Sequence, residues 1–523
     1  MNLLAQAVHV RIDMTDDHRY SLSAPTKQLL QSLDKPLEVS LLLDGPMNAS
    51  FVRLSEATER LVEEMDEYGD IVRPASMPEP GRLGLSPMVI HERAKDGQTV
   101  QTRLYPYAVL RYNGRTSVVS LLVNERGRSG EENINRSIEQ LEFAFAQSIA
   151  TLRRTEVTRI AFLEGHGELP EQNVMDVEKE LSRFFQVDRG TLTSADNELD
   201  AYAAVIIADP QEPFSEQDKY ILDQYIMHGG RVLWAVNGVR FSGDYLATEG
   251  ATPVIPQDLH LGDMLFRYGV RIEPALVQDL QCLPIPVDVS DDPLTPNFQP
   301  LPWTYAPLLL TAQSSPVTAK LGQVSATFCS PVSMVGGEDS IRKTVLLATS
   351  TRSALTPTPA EVELSDMHPD MSRFVYQYVP VAVQLSGVFP SLFAHQMVPE
   401  QVQTTRSKRS QSEPTGQIVI GSGAIIRNEW QQGQPLPCGF DRYTQMQFAN
   451  RDFIVNCVLA LTNDEALIAL RQKSVTLRLL NNDKAQADKP LIQATTTLLP
   501  LLLLALVAAV YIPLRKHQYN YTT

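Results

Sequence analysis

Hydrophobic positions change period several times along the chain, and each change marks a new element. Residues 37–43, LEVSLLL, form a short apolar run that reads as a strand. After DGPMNAS the apolar positions become Phe51, Leu54, Leu61, Met65 and Tyr68. That spacing is close to 3.6 and predicts a helix capped by Asn48 or Ser50. VQTRLY, YAVLRYN and RTSVVSLLV follow as strands, the last two joined around Asn113-Gly114. Such a pair tolerates positive φ and favours a tight hairpin. Strand, helix, strand and hairpin give residues 1–125 a thioredoxin-like order. The place of a redox motif holds DGPMN, which has no cysteine, so this domain is read without redox chemistry.

Residues 131–154 predict a long helix, with Ile134, Ile138, Leu141, Phe145, Ile149 and Leu152 on one stripe. It is assigned as a connecting helix, 126–154. Beyond it, RIAFL, FQV, AYAAVIIAD and RVLWAV are apolar strand-like runs. PEQNVMDVEKELSRFF and PFSEQDKYILDQYIMHGG alternate with them as helices. The second has Ser215 and Asp218 in capping-box spacing and Gly229-Gly230 as its stop. Continuous apolar strands alternating with helices predict a doubly wound parallel sheet over residues 155–350. DLHLGDMLFRYGV adds a helix, and the prolines between 284 and 307 make that stretch extended. Residues 351–480 continue the α/β region with the strands VPVAVQLSGVF and GQIVIGSG and the helices DFIVNCVLALT and DEALIALRQKSV. The polar, basic segment 396–416 is expected as a mobile loop and 481–490 as a tether.

The last pattern is different. Residues 491–514, LIQATTTLLPLLLLALVAAVYIPL, carry no charge and are long enough for a transmembrane helix. Its anchoring core is Leu498, Leu501, Leu502, Leu503, Leu504 and Leu506, and Arg515 and Lys516 follow directly. The positive-inside rule then puts the tail 515–523 in the cytoplasm and the bulk of the chain on the other side. The N-terminal MNLLAQAVHV is too weakly apolar to span and is expected to be the tail of a helix.

Charge and cysteine content narrow the function classes. Across 523 residues, 45 Lys and Arg against 61 Asp and Glu give −16, which disfavours nucleic acid as a partner. Four cysteines without a CxxC pair suggest buried thiols and no metal site.

Candidate chemistry concentrates in FLEGHGELP, residues 162–170, where a strand ends and Glu164, His166 and Glu168 alternate with Gly165 and Gly167. Ligands of doubly wound sheets bind beyond the carboxyl ends of the strands, so these five residues form the candidate ligand- or partner-contact loop. His166 is a candidate base oriented by Glu164 or Glu168. There is no GxSxG or GxCxG elbow, HExxH or GxxxxGK[ST] pattern, so no catalytic residue, metal or cofactor is assigned. GSG at 421–423 is a weak phosphate-loop candidate.

Several strings resemble one family. They are RIDMTDDHRYSLS (11–23), RSIEQLEFAFAQSI (136–149), IAFLEGHGEL (160–169), PFSEQDKYILDQYIMHGGRVLWAV (213–236), LFRYGVRIEPALVQDLQC (265–282) and FANRDFIVNCVLALTNDEALIALRQK (448–473). Together they are similar to the auxiliary, substrate-binding-like G component of the gliding-motility-associated ABC transporter. The resemblance implies a central domain with a glutamine-amidotransferase-like fold that lacks the catalytic cysteine, shared with an intraflagellar-transport subunit. It implies an inner-membrane protein with its bulk in the periplasm, acting with a separate permease and a cytoplasmic ATPase. Members often carry DGD where this chain has GSG, and they usually start with a full transmembrane helix. The expectation is therefore a non-enzymatic transporter subunit, with a periplasmic ligand receptor using loop 164–168 as the alternative.

Overall fold

Asn113 and Gly114 adopt φ of 50° and 77°, and this left-handed pair closes the hairpin around which the first sheet is built. The computed structural model describes residues 21–462, with short breaks at 75–77, 94–98, 124–128, 154–156, 289, 291–296, 337–339 and 365–368, together with the isolated Ile468 and Ala508. In chain order the first region contains α1 (Ala24–Gln31), β1 (Leu37–Leu41), α2 (Ala49–Asp66), β2 (Ile71–Val72), β3 (Met88–Arg93), β4 (Thr99–Leu104), β5 (Tyr107–Tyr112), β6 (Arg115–Ser120) and α3 (Gly130–Arg153). Strands β2-β1-β5-β6 form one sheet, with β1 and β2 parallel and the other pairs antiparallel. VQTRLY, expected as part of this sheet, lies instead in a separate hairpin of β3 with β4.

Asn48 is the cap of α2, its side-chain oxygen accepting the Phe51 amide at 3.1 Å, while Ser50 lies within the helix. The α3 stripe packs Ile134, Leu141, Phe145, Ile149 and Leu152 into the same core as Leu37, Val39, Leu54 and Leu110. Glu142 of α3 accepts from Ser23 Oγ at 2.6 Å and Thr26 Oγ1 at 2.7 Å, fixing it to α1. The long helix is thus a wall of the first core.

The second region runs β7 (Arg159–Glu164), α4 (Glu171–Leu181), β8 (Gln186–Thr191), β9 (Ala204–Ala208), α5 (Glu216–Met227), β10 (Val232–Ala235), α6 (Gly262–Arg267), β11 (Cys282–Asp288), β12 (Phe298–Thr311), β13 (Ile341–Ala348), β14 (Pro380–Gly387), β15 (Thr415–Ile420) and α7 (Asn450–Leu461). Its strands order as β11-β12-β13-β14-β15-β10-β9-β7-β8. From β8 to β15 all pairs are parallel, and from β15 to β11 all are antiparallel. The sheet is therefore mixed, and only its first part matches the expected parallel layer. The reason is topological. Parallel neighbours need a crossover element, and the described residues between β11 and β14 contain no α-helix. In the edge hairpin Pro286 faces Pro300 and Pro284 faces Pro302, which an edge tolerates because proline donates no ladder bond.

Burial follows the sequence pattern. Ile160, Phe162, Ile206, Leu233 and Ile418 point to one face of the sheet beneath α4 and α7, and Val205, Ile207, Trp234 and Val419 to the other beneath α5. Cys329, Cys438 and Cys457 are buried and Cys282 partly so, all as free thiols. Residues 396–416 are docked. The Arg409 amide donates to Gln224 Oε1 at 2.8 Å, the Thr405 amide to Asp196 at 2.9 Å, and Arg406 pairs with Asp200. No helix among the described residues is long and apolar enough to cross a membrane. The segment 491–514 lies outside the described residues apart from Ala508, and so do Leu498, Leu501, Leu502, Leu503, Leu504, Leu506, Arg515 and Lys516.

Asp223 ties the second region together from inside α5. Fully buried, it accepts from Tyr268 Oη (2.8 Å), Ser391 Oγ (2.6 Å), the Leu392 amide (2.9 Å) and Gln224 Nε2 (3.0 Å). Burial pushes its pKa up, and these donors oppose that. Replacing Asp223 with Leu strands several buried donors at once. The expected loss is about 3 kcal/mol or more, at about 1–3 kcal/mol per orphaned group. Urea unfolding measures it, and a loss below about 1 kcal/mol would contradict the tie.

Candidate functional site

The strand order β8-β7-β9-β10-β15 contains a reversal. The chain steps from β7 outward to β8, then back across β7 to β9. In such sheets the crevice lies at the carboxyl ends where the direction switches, here between the loops after β7 and β9. Loop 165–170 is the EGHGE turn, and loop 209–215 faces it.

Gly165 and Gly167 take φ of 113° and 71°, conformations that force the turn to double back and drive His166 inward. The two glycines are exposed while His166 is only 6% exposed. Its Nδ1 lies 3.1 Å from Glu168 Oε1 and its Nε2 3.2 Å from Asp218 Oδ2. The ring stacks on Phe214 with centroids 3.7 Å apart and planes 10° from parallel. Glu168 also accepts the His166 amide at 2.6 Å, and the His166 carbonyl accepts the amides of Gln211 and Glu212, both at 2.8 Å.

Two carboxylates on two ring nitrogens fix the charge state. Burial disfavours the imidazolium, but the hydrogen bonds its ring donates to Asp218 and Glu168 outweigh it and raise the His166 pKa from 6.5 to about 9. Asp218 is held below its ordinary value: burial works against this, and His166 and Ser215 outweigh it. An imidazolium with both protons committed has no lone pair to act as a base. The switch point is closed by a buried ion triad.

Of the five residues expected here, the structure brings His166 and Glu168 together and turns Glu164 away. Glu164 pairs with Arg189 at 2.8 Å, and Arg189 also reaches Glu178 at 3.4 Å and the Leu169 carbonyl at 3.0 Å. The residues sequence reasoning missed are Asp218 and Phe214. Their signal was the capping box, since Ser215 Oγ accepts the Asp218 amide at 3.1 Å and donates to its carboxylate at 2.6 Å. The aspartate that finishes the helix cap also holds the histidine.

Beside the triad, the loops after β9, β10 and β15 form a second polar cluster. Asp209, at φ 55° and 5% exposed, accepts from Asn237 Nδ2 at 2.8 Å and faces Arg427 Nη2 at 3.2 Å. Asn237 Oδ1 accepts the Gly423 amide at 3.1 Å. Burial raises the Asp209 pKa, against the pull of Arg427. The GSG glycines are explained by contact: a Cβ on Gly421 would lie 2.1 Å from the Ser330 carbonyl, and one on Gly423 2.2 Å from Asp209. Ser422 Oγ is buried without a hydrogen-bond partner among the described residues. Among the described residues, no group of three or more His, Cys, Asp or Glu is placed to hold a metal ion.

The triad makes a pH-dependent prediction. A histidine whose folded pKa stands above its unfolded value stabilises fully below the ordinary 6.5 and loses that contribution as pH rises through about 9. The stability difference between the natural chain and His166→Gln should therefore shrink by about 3 kcal/mol between pH 6 and pH 10. Chemical denaturation across that range measures it, and a pH-independent difference would exclude a buried imidazolium.

A family model described as an ABC-type uncharacterized transport system matches residues 157–457. Another, described as a domain of unknown function, matches residues 16–111. No curated protein matches the chain. Among solved structures it is similar to one described as mmIFT52 N-terminal domain, at 13% identity and a TM-score of 0.33, covering 58% of this chain and 97% of that one. With the first match extending over more than half of its length, from the start of the parallel sheet through most of α7, the chain belongs to the auxiliary family of ABC-type transport systems.

Proposed function

We propose that the protein is a non-catalytic, membrane-anchored auxiliary subunit of an ABC transporter, acting with a separate permease and a cytoplasmic ATPase. The observation that carries this reading is the closed switch point. Where α/β enzymes open a crevice for substrate, His166, Glu168, Asp218 and Phe214 fill the space and hold each other. The protein's work is then binding and coupling. Residues 491–514 supply the anchor, with Arg515 and Lys516 on the cytoplasmic side and the α/β bulk in the periplasm. The strand order β2-β1-β5-β6 supports a thioredoxin-like first domain, and the parallel layer supports an amidotransferase-like second one. Resemblance to the gliding-motility component extends the proposal to gliding or surface-protein secretion.

A second reading rests on the outer rim of the same turn. Gly165 and Gly167 are exposed and the Glu164 side chain is 42% exposed, so backbone amides and one carboxylate are presented to a ligand or partner while His166 supports them from beneath.

The distinguishing experiment purifies the full chain in detergent from its native membrane and identifies what accompanies it. A permease and an ATPase in fixed ratio are expected, and both should be lost when residues 491–523 are deleted. Full recovery with the shortened chain would defeat the anchor. Recovery of a soluble ligand without either subunit would favour the rim as a receptor site.

A further inference from the structure

At the opposite, amino ends of β9 and β10 a cleft of about 300 Å³ opens between α5, the strands and the docked segment around Arg406. Its volume is at the lower end of the range for small-ligand sites. Tyr202 and Tyr225 form its aromatic part, the Tyr225 hydroxyl being held by the Tyr202 carbonyl at 3.0 Å. Gly229 and Gly230 form its backbone side. At Gly230 a Cβ would come 2.5 Å from the Tyr225 ring, so the close approach requires glycine there.

Two arginines, one histidine and one carboxylate, Asp200, face this cleft. Arg231 is half-buried, and its side chain has no hydrogen-bond or ion-pair partner among the described residues. His228 Nδ1 lies 2.8 Å from the Gln224 carbonyl, which only accepts, so Nδ1 carries a proton and Nε2 is left uncommitted by that bond. Arg406 is 14% exposed, its charge already met by Asp200. Glu413, close to Gly229, is paired with Arg409 at 2.6 Å. Counting charges, Arg406 with Asp200 and Arg409 with Glu413 cancel, and Arg231 remains. In a chain of net charge −16, an uncompensated arginine in a walled cleft is a local reversal of sign.

We infer that this cleft binds an oxyanion, a phosphate or the phosphate group of a larger molecule, through the Arg231 guanidinium. Guanidinium offers paired donors that match a tetrahedral oxyanion, and partial burial strengthens the contact relative to open surface. The site lies at the other end of the strands from the His166 triad, so it stands or falls independently of the transporter reading.

The test titrates the full-length chain in detergent with inorganic phosphate by calorimetry. Binding is expected for the natural chain and for Arg427→Gln, which alters the far end of the sheet. It should weaken at least ten-fold in Arg231→Gln and be largely kept in Arg231→Lys. Unchanged circular dichroism of each variant excludes unfolding as the cause. No binding at millimolar phosphate, or equal binding by the natural chain and Arg231→Gln, overturns the site. Flotation with phosphatidylglycerol vesicles then separates two sources of the same chemistry: Arg231-dependent flotation of the chain beyond its detergent-resistant background supports a lipid headgroup, and phosphate binding without it supports a soluble anion.

Discussion

A positive charge buried between two negative ones governs the switch-point end of the large sheet. The imidazolium offsets part of the cost of burying Glu168 and Asp218, and is itself possible only because both carboxylates are there. His166 and Glu168 come from the loop after β7 and Asp218 from the first turn of α5, so the interaction also fixes where α5 begins relative to β7. Phe214 beneath the ring excludes water and keeps the local dielectric low, which strengthens each contact. Removing one partner would leave an uncompensated charge at the switch point of the sheet.

The same device recurs without a cation. Asp223 and Asp279 are fully buried carboxylates that gather hydroxyl and amide donors from distant segments. Asp279 takes the Ser350 amide and hydroxyl, both at 2.6 Å, and the Gln281 amide at 2.9 Å. These acids are position markers for loops that have little apolar surface of their own. Segment 391–412 is an example. It is polar in composition, yet Ser391, Leu392, Thr405 and Arg409 are each bonded to the layer containing α5 or the strand connection before it. Composition alone gives the wrong weight to such a segment, because a few buried acceptors substitute for a hydrophobic stripe.

Much of the fold was legible because apolar period and local signals agreed. The α2 and α5 helices, the Asn113-Gly114 hairpin, the Gly229 stop and the run of parallel strands through β10 were all written in neighbouring residues. What was not legible depends on partners far away in sequence. The pairing of β3 with β4 outside the first sheet, and the antiparallel set from β11 to β14, rest on which strand finds which edge. At the site, EGHGE announced a turn with a histidine, but the Asp218 carboxylate that stabilises its protonated form stands 52 positions on and looked like a helix cap only. The GSG string was misleading for a related reason. Its glycines answer to Ser330 and Asp209, whose proximity no local pattern encodes.

The position of β15 has a consequence for the history of the molecule. It fills the gap between β10 and β14 at the centre of the large sheet, yet it is made long after β10. Without residues 415–420, β10 is an open edge of continuous apolar residues, and the antiparallel set has nothing to join. The two halves of the sheet are therefore joined only through a strand that follows both of them in the chain. Long-range strand insertion of this kind is slow and leaves sticky edges in the meantime.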